Sequence, residues 1–339
     1  MKAYEGFFTY YWDEAQGKIW LEIKDFDEEF LYVNSLSAGV GSNDIGLDRN
    51  QLGGTRVVSF KRVGPKVLMV QPNLDYRAVS DNPDERESVA DAFARSIIWG
   101  AKVEAAEAGR VLVDLSTLLM ADAHNVADRL RGRGEGSFKV DTKRSAVHLD
   151  RTKNFPKNSV FEACVTFTGN PQGRNLRSVT PNGKAVSVRL HHSFIELPDA
   201  DYKPRVFHPG SGYGAMTYAD YATPISQSLV KRFIRRHRLE KKDPTAAVSA
   251  AGYKDAFQVK LLPADADPLD VRYNVINWVH RSTRGWSYGS SVADPRTGEI
   301  IKGHVLLGSL RVRQDFMIAQ GLVAAYENGE TPDPRLEQM

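Results

Sequence analysis

The sequence predicts a mainly β N-terminal region with short helices, followed by a smaller α+β part. Three observations carry that prediction. Aromatic and β-branched runs such as Phe7–Trp12 and Lys18–Ile23 recur between short turn-forming segments, the signature of strands and hairpins. Those signals continue to about residue 228. Beyond a Pro-, Ala-, Thr- and Ser-rich stretch at Asp243–Gly252, which reads as a linker, the pattern changes and includes a long helical segment, Leu310–Ala325.

Taken in order, Gly6–Leu36 reads as hairpins, with a turn at Asp13–Gly17. Ala38–Asp48 holds too many turn formers for a regular element and is expected to be a loop. Thr55–Val63 and Lys66–Pro72 alternate about Gly64–Pro65 as a further hairpin. Glu87–Arg95 carries Val89 and Phe93 at helical spacing, and Ile97–Trp99 restores β character. Ala101–Ala105 and Arg110–Leu115 pair across Glu107–Gly109, and strands return at Ser159–Thr168 and Lys184–Leu197. Leu229–Lys242 holds seven Lys/Arg with Leu229, Phe233, Ile234 and Leu239 roughly on one side, so it reads as a short amphipathic basic helix. Nucleic acid or acidic membrane is one partner for such a helix; a solvated connecting face is the favoured one. Val271–Val279 fits a strand better than a helix by length and composition, and Gly285–Ala293 and Glu299–Leu307 read as strands joined by a turn at Asp294–Gly298. The division expected is 1–40 as an N-terminal hairpin region, 41–245 as a β-rich domain ending in the basic helix, and 246–339 as the second part.

Composition excludes several classes. The 339 residues allow about two domains at ~100–200 residues each, and ordinary Gly and Pro usage with 42% hydrophobic residues excludes collagen-like, coiled-coil and wholly disordered chains. Lys+Arg at 45 against Asp+Glu at 42 leaves a net charge of +3, so a nucleic-acid surface is not expected. The one cysteine, Cys164, removes any internal disulfide framework and reads as a buried strand thiol. No apolar stretch approaches the ~20 residues of a membrane span, and Met1–Phe8 lacks the apolar core of a signal peptide.

Motifs for chemistry are missing. The eight histidines form no His-Glu-x-x-His, His191–His192 cannot direct both rings to one face of a strand, and no Gly-x-Ser-x-Gly elbow, P-loop, EF-hand loop or Gly-x-Gly-x-x-Gly is present. Gly210–Gly214 is glycine-rich without a strand-to-helix junction around it. No catalytic or metal-ligating residue is expected in this chain.

Longer strings go further. Gly41–Arg49 (GSNDIGLDR), Gly53–Val58, Arg235–Pro244, Trp278–Gly289 (WVHRSTRGWSYG) and Asp294–Val305 (DPRTGEIIKGHV) resemble the bacterial exported zinc-dependent metalloproteases, which carry two uncharacterised β-rich regions ahead of a metzincin-like catalytic domain. The resemblance covers nearly the whole chain and implies zinc in complete members, export to the periplasm or beyond, and a peptide or protein substrate. In that family the zinc helix follows shortly after the position of Met339, and a strand and a long helix separate the counterparts of Ser249 and Ala250, which here abut. The expectation is an incomplete protease domain without peptidase activity or bound cofactor, or else a β-rich scaffold that contacts peptide, glycan or a protease domain. By the resemblance, Trp286–Val292 would form the edge strand of the substrate cleft, with Trp286, Ser287, Tyr288, Gly289, Ser290 and Ser291 pairing with an extended peptide.

Overall fold

The computed structural model describes residues 1–238, 258–283 and 285–327, together with the backbone of 248–249 and 252–253. Residues expected to form the linker, 243–252, fall mostly outside them.

The N-terminal strands are β1 (Lys2–Tyr4), β2 (Tyr10–Asp13), β3 (Lys18–Ile23) and β4 (Glu29–Ala38). After the loop come β5 (Leu52–Val63), β6 (Lys66–Gln71), β7 (Tyr76–Arg77), helix α1 (Pro83–Ala92), β8 (Ser96–Glu107) and β9 (Arg110–Asp114). Helices α2 (Ser116–Leu119) and α3 (Val126–Gly132) lead into β10 (Gly136–Val140), β11 (Ala146–Val147), β12 (Lys153–Asn154) and β13 (Asn158–Pro171). Helix α4 (Arg174–Val179) precedes β14 (Ala185–Ile195), β15 (Ala215–Asp220), β16 (Val230–Ile234) and β17 (Arg236–His237). The remainder is β18 (Val248–Ser249), β19 (Gly252–Tyr253), β20 (Val275–Val279), β21 (Tyr288–Ala293), β22 (Glu299–Gly308) and helix α5 (Ser309–Glu327).

The chain is mainly β. One 13-stranded sheet runs β1-β2-β3-β9-β8-β6-β5-β4-β14-β13-β10, with β11 and β12 also on β13, and all of its pairs are antiparallel. The sheet curls until its two ends meet: Phe7 N–H donates to the Phe155 carbonyl, and Asn154 Nδ2 to the carbonyls of Tyr4 and Phe8. The ends so joined leave a near-barrel whose interior is filled by aromatic rings. Phe8, Phe30, Phe60 and Phe194 pack edge-on or tilted at 5.0–6.1 Å between centroids, and Phe161 meets Phe194 at 5.4 Å, each pair adding about 0.5–1.5 kcal/mol beyond area burial.

Alternation explains why Phe30–Val33 of β4 is apolar at four successive positions. Phe30 and Tyr32 point into the barrel, while Leu31 and Val33 point outward to pack with Val57, Ile195, Val271 and Val292. Both faces of the strand are therefore covered, the second in part by Val271 and Val292, more than 230 positions later. Around β22 a mixed sheet forms: β20 and β17 pair with it in parallel, and β21 antiparallel on its other side. Arg77 of β7 ties it to the three-stranded sheet by donating to the carbonyls of Pro295 (2.6 Å) and Arg296 (2.8 Å), and Arg296 reaches the barrel, with Nη1 3.4 Å from Glu29 of β4.

Three expectations are corrected. Residues 229–238 form no basic helix: Val230–Ile234 is a strand paired with β15, which in turn pairs with β7. Phe233 stacks near Tyr218 and Ile234 is buried, so sheet pairing outweighs the loose helical spacing; residues 239–242 lie outside the described ones. Cys164 lies in strand β13 as expected, yet its side is the exposed one, opposite Arg189. The helix expected at Glu87–Arg95 starts earlier, at Pro83, because Asn82 caps it by accepting from Asp84 N–H and Pro83 suits the first turn.

Candidate functional site

Residues 288–293 sit at the border of the mixed sheet, and among the described residues nothing pairs with the outer side of β21. Of the six residues expected at an edge strand, Tyr288, Gly289, Ser290 and Ser291 lie in β21, whereas Trp286 and Ser287 precede it. Trp286 is 77% exposed. Ser287 Oγ instead accepts from Gly308 N–H at 3.0 Å, tying the approach segment to the end of β22. At Gly289 a side chain would meet open space.

The strand's position is set from behind. Val292 is buried in the outer cluster against β4 and β5. Arg281 donates to both oxygens of Asp48 at 2.8 Å and to the Trp286 carbonyl at 3.2 Å. Tyr288 Oη donates to Asp48 Oδ2 at 3.3 Å, and burial together with the Asp48 charge pushes its phenol up to about 12, so it stays protonated in that role. Asp48 ends the 38–48 loop, where Gly46 takes a left-handed φ of 76° and its N–H donates to the Ser42 carbonyl. The string that carried the resemblance is thus the support of β21.

Behind β21 a cavity of about 140 Å³ opens between the two sheets. Ser37, Arg151 and His191 line it, and beneath them Glu162, fully buried, accepts from Ser37 Oγ (2.7 Å) and Arg151 Nε (3.2 Å) and pairs with His191 Nδ1 (3.1 Å). Burial alone would raise this carboxyl, but His191, Ser37 and Arg151 outweigh it and hold it down at about 2. On the opposite wall Lys302 is buried, and its ammonium donates to the carbonyls of Pro268 (2.8 Å) and Asp270 (3.2 Å); burial lowers it to about 8 against the pull of Asp270 and Asp267. His304 donates through Nε2 to the Asn50 carbonyl. Ser37 donates to Glu162 and not to His191, so carboxylate, imidazole and hydroxyl do not form a nucleophile relay. Both buried charges are satisfied within their own sides of the cavity, and the His304 to Asn50 bond crosses it.

The described residues do not fit a catalytic zinc. None of their His, Cys, Asp and Glu side chains come together in a group of three able to hold a metal ion. His191 and His192 do point to opposite faces: His191 to Glu162 outside, and His192 inward, between Tyr32 Oη and the Leu119 carbonyl. No helix among the described residues is long and apolar enough to cross a membrane.

The segment expected to be a strand contains β21, whereas Asp48, Arg281, Glu162 and Lys302 are not singled out by any local pattern as members of a site. Asp48 and Arg281 stand 233 positions apart, and no local pattern announces such a pair.

Comparison with known families adds two findings. The model of the family described as Domain of unknown function (DUF5117) matches residues 50–242, more than half of the chain, and that of Domain of unknown function (DUF5118) matches residues 1–39. No curated protein and no solved structure matches. The two matched segments build one sheet, because β4, at the end of the first, lies between β5 and β14 of the second.

Proposed function

The chain belongs to the DUF5117 family, and from that premise we propose that its β-rich body is a platform that holds β21 as a binding edge for an extended peptide, within a unit of the zinc-dependent metalloprotease type. The observation that carries this reading is the unpaired outer side of β21 on a strand fixed from behind by Val292, Asp48 and Arg281. Exposed, rigid backbone donors and acceptors are what an added strand requires, since main-chain hydrogen bonds supply affinity and side-chain pockets supply preference. The open space above Gly289 leaves room for a peptide side chain, and Trp286 offers an aromatic surface beside it. Hydrolysis is not assigned to residues of this chain, whose sequence contains no His-Glu-x-x-His. The peptide is bound, not cut.

Peptide binding is tested by fluorescence anisotropy with a pool of labelled casein-derived peptides, followed by hydrogen exchange on the complex. Binding should protect 288–293 above the free protein. Successive residues of an edge strand alternate the side to which their N–H points, so one of Gly289→Pro and Ser290→Pro removes an outward donor and should abolish binding in a folded protein. If both variants bind normally, or if peptides bind without protecting this strand, the reading fails.

A further inference from the structure

On the other face of β4 and β5 from the cavity described above, a wide bowl of about 570 Å³ is lined by Arg56, Arg129, Arg133, His124, Asn34 and Gln51. Its walls come from three separate segments: β4, the start of β5 with the loop before it, and α3 with its approach. Several arginines of this chain are matched with carboxylates, as Arg281 with Asp48, Arg272 with Asp270 and Arg296 with Asp294, and others, such as Arg77 and Arg177, donate to carbonyls. Here, among the described residues, none of the three guanidiniums lies within ion-pair distance of a carboxylate. The acid on the wall, Asp128, pairs with Arg131 at 2.7 Å.

The base of the bowl is built. Asn34, 2% exposed, accepts through Oδ1 from Gly54 N–H (3.2 Å) and Arg56 Nη1 (2.8 Å), which fixes its amide so that Nδ2 donates to His124 Nδ1 at 3.1 Å. The His124 proton is therefore on Nε2, which donates to Gln51 Oε1 at 3.3 Å. Burial first, then Arg129 and Arg56, lower this imidazole to about 4, so it is neutral and adds no charge of its own. With its carbonyl engaged, Gln51 has only its amide N–H groups left to offer. A side chain at Gly54 would come within 2.8 Å of the Arg56 guanidinium, so glycine there is what lets Arg56 lie flat across the strand. Apart from Asp128, which pairs with Arg131, the side-chain groups offered by this surface are chiefly donors, and three of them carry full charge.

We propose that this bowl is a binding site for a small organic oxyanion, whose phosphate or carboxylate head is held by Arg56, Arg129 and Arg133. A planar guanidinium fork matches the oxygens of either head in pairs. The bowl is far wider than an inorganic anion fills, so the ligand has an organic body. A bound anion would also relieve the repulsion among three unmatched cations.

The test is isothermal titration calorimetry on the full chain in low salt with glucose 6-phosphate and with citrate, and with glucose as the neutral control. The two anions distinguish a phosphate head from a carboxylate one. At least one should bind with a Kd below about 1 mM, and glucose should not. Arg129 and Arg133 are exposed, so Arg129→Gln/Arg133→Gln should fold as the parent, checked by circular dichroism, and should weaken the anion at least about tenfold. Failure of both anions to bind below about 1 mM overturns the proposal. Binding of an anion with equal strength to parent and variant also overturns it.

Discussion

Arg281 grips Asp48 through both oxygens at 2.8 Å, with side chains only 2% and 6% exposed, and so joins the 38–48 loop to the segment that leads from β20 into β21. Removing one member leaves the other charged and buried. Asp48→Ala should cost about 3–5 kcal/mol, and Asp48→Leu/Arg281→Met should recover much of that loss. Urea unfolding followed by the fluorescence of Trp278 and Trp286 measures both; equal stability of Asp48→Ala and parent would contradict the assignment.

Acid should destabilise the protein well before its exposed carboxylates titrate fully. His192 is buried and lowered to about 3 by burial first and then by His191, and His124 is lowered to about 4. The folded state thus takes up fewer protons than the unfolded chain between pH ~6.5 and ~4, and stability is present above that window and lost as pH falls through it. Glu162, held down at about 2, adds a further loss beginning near pH ~4.5. Urea midpoints at several pH values should therefore fall from neutral pH downward with a slope approaching two protons, about 2.7 kcal/mol per pH unit, near pH ~5. A flat profile between pH ~7 and ~5 would show that these histidines stay accessible to protons.

Residues 50–242, taken alone, should not fold. They would lack β4, leaving β5 and β14 with unpaired facing edges and both layers of the core without Phe30, Leu31, Tyr32 and Val33. The expected outcome is an aggregating fragment that becomes soluble when residues 1–39 are co-expressed as a second chain. A monomeric 50–242 fragment with cooperative unfolding would disprove the single-sheet reading.

Helix α5 presents Val312, Phe316, Ile318 and Leu322 at 52–67% exposure. These side chains contribute little packing, so Phe316→Ser/Leu322→Ser should shift unfolding by no more than about 1 kcal/mol. Sedimentation velocity on the same variant should show less self-association, since exposed apolar patches drive it. A large loss of stability would mean that the helix is packed in solution.

Much of this architecture is legible in the sequence because strands of an antiparallel sheet announce themselves locally. Lys66–Gln71 and Tyr288–Ala293 lie close to where their β-branched and small residues placed them. The hairpin β8–β9 turns at Ala108–Gly109, both with positive φ, as a two-residue connection requires. What was misread depends on partners far away. Lys231 and Arg232 sit in a strand because β15 is there to pair with it, which no helical stripe within Leu229–Lys242 can report. Helix α3 was missed because it is only seven residues long and begins after Asn125, itself at a left-handed φ of 55°. The border strand β21 is legible because it is one continuous segment; the Arg56–Arg129–Arg133 bowl is not, since its members become neighbours only when the sheet closes.

The central place of β4 also sets an order of events in time. Its partner β14 is completed only at Ile195, which pairs with Leu31, so the ladder spans about 160 positions. At a synthesis rate of ~5–20 residues per second, roughly ten to thirty seconds separate the emergence of the two strands. Throughout that interval the apolar run Phe30–Val33 is on the ribosome with at most one of its edges paired. The sheet is thus completed from later residues back to earlier ones, and translational pausing before Ile195 lengthens the period in which this strand can find a wrong partner.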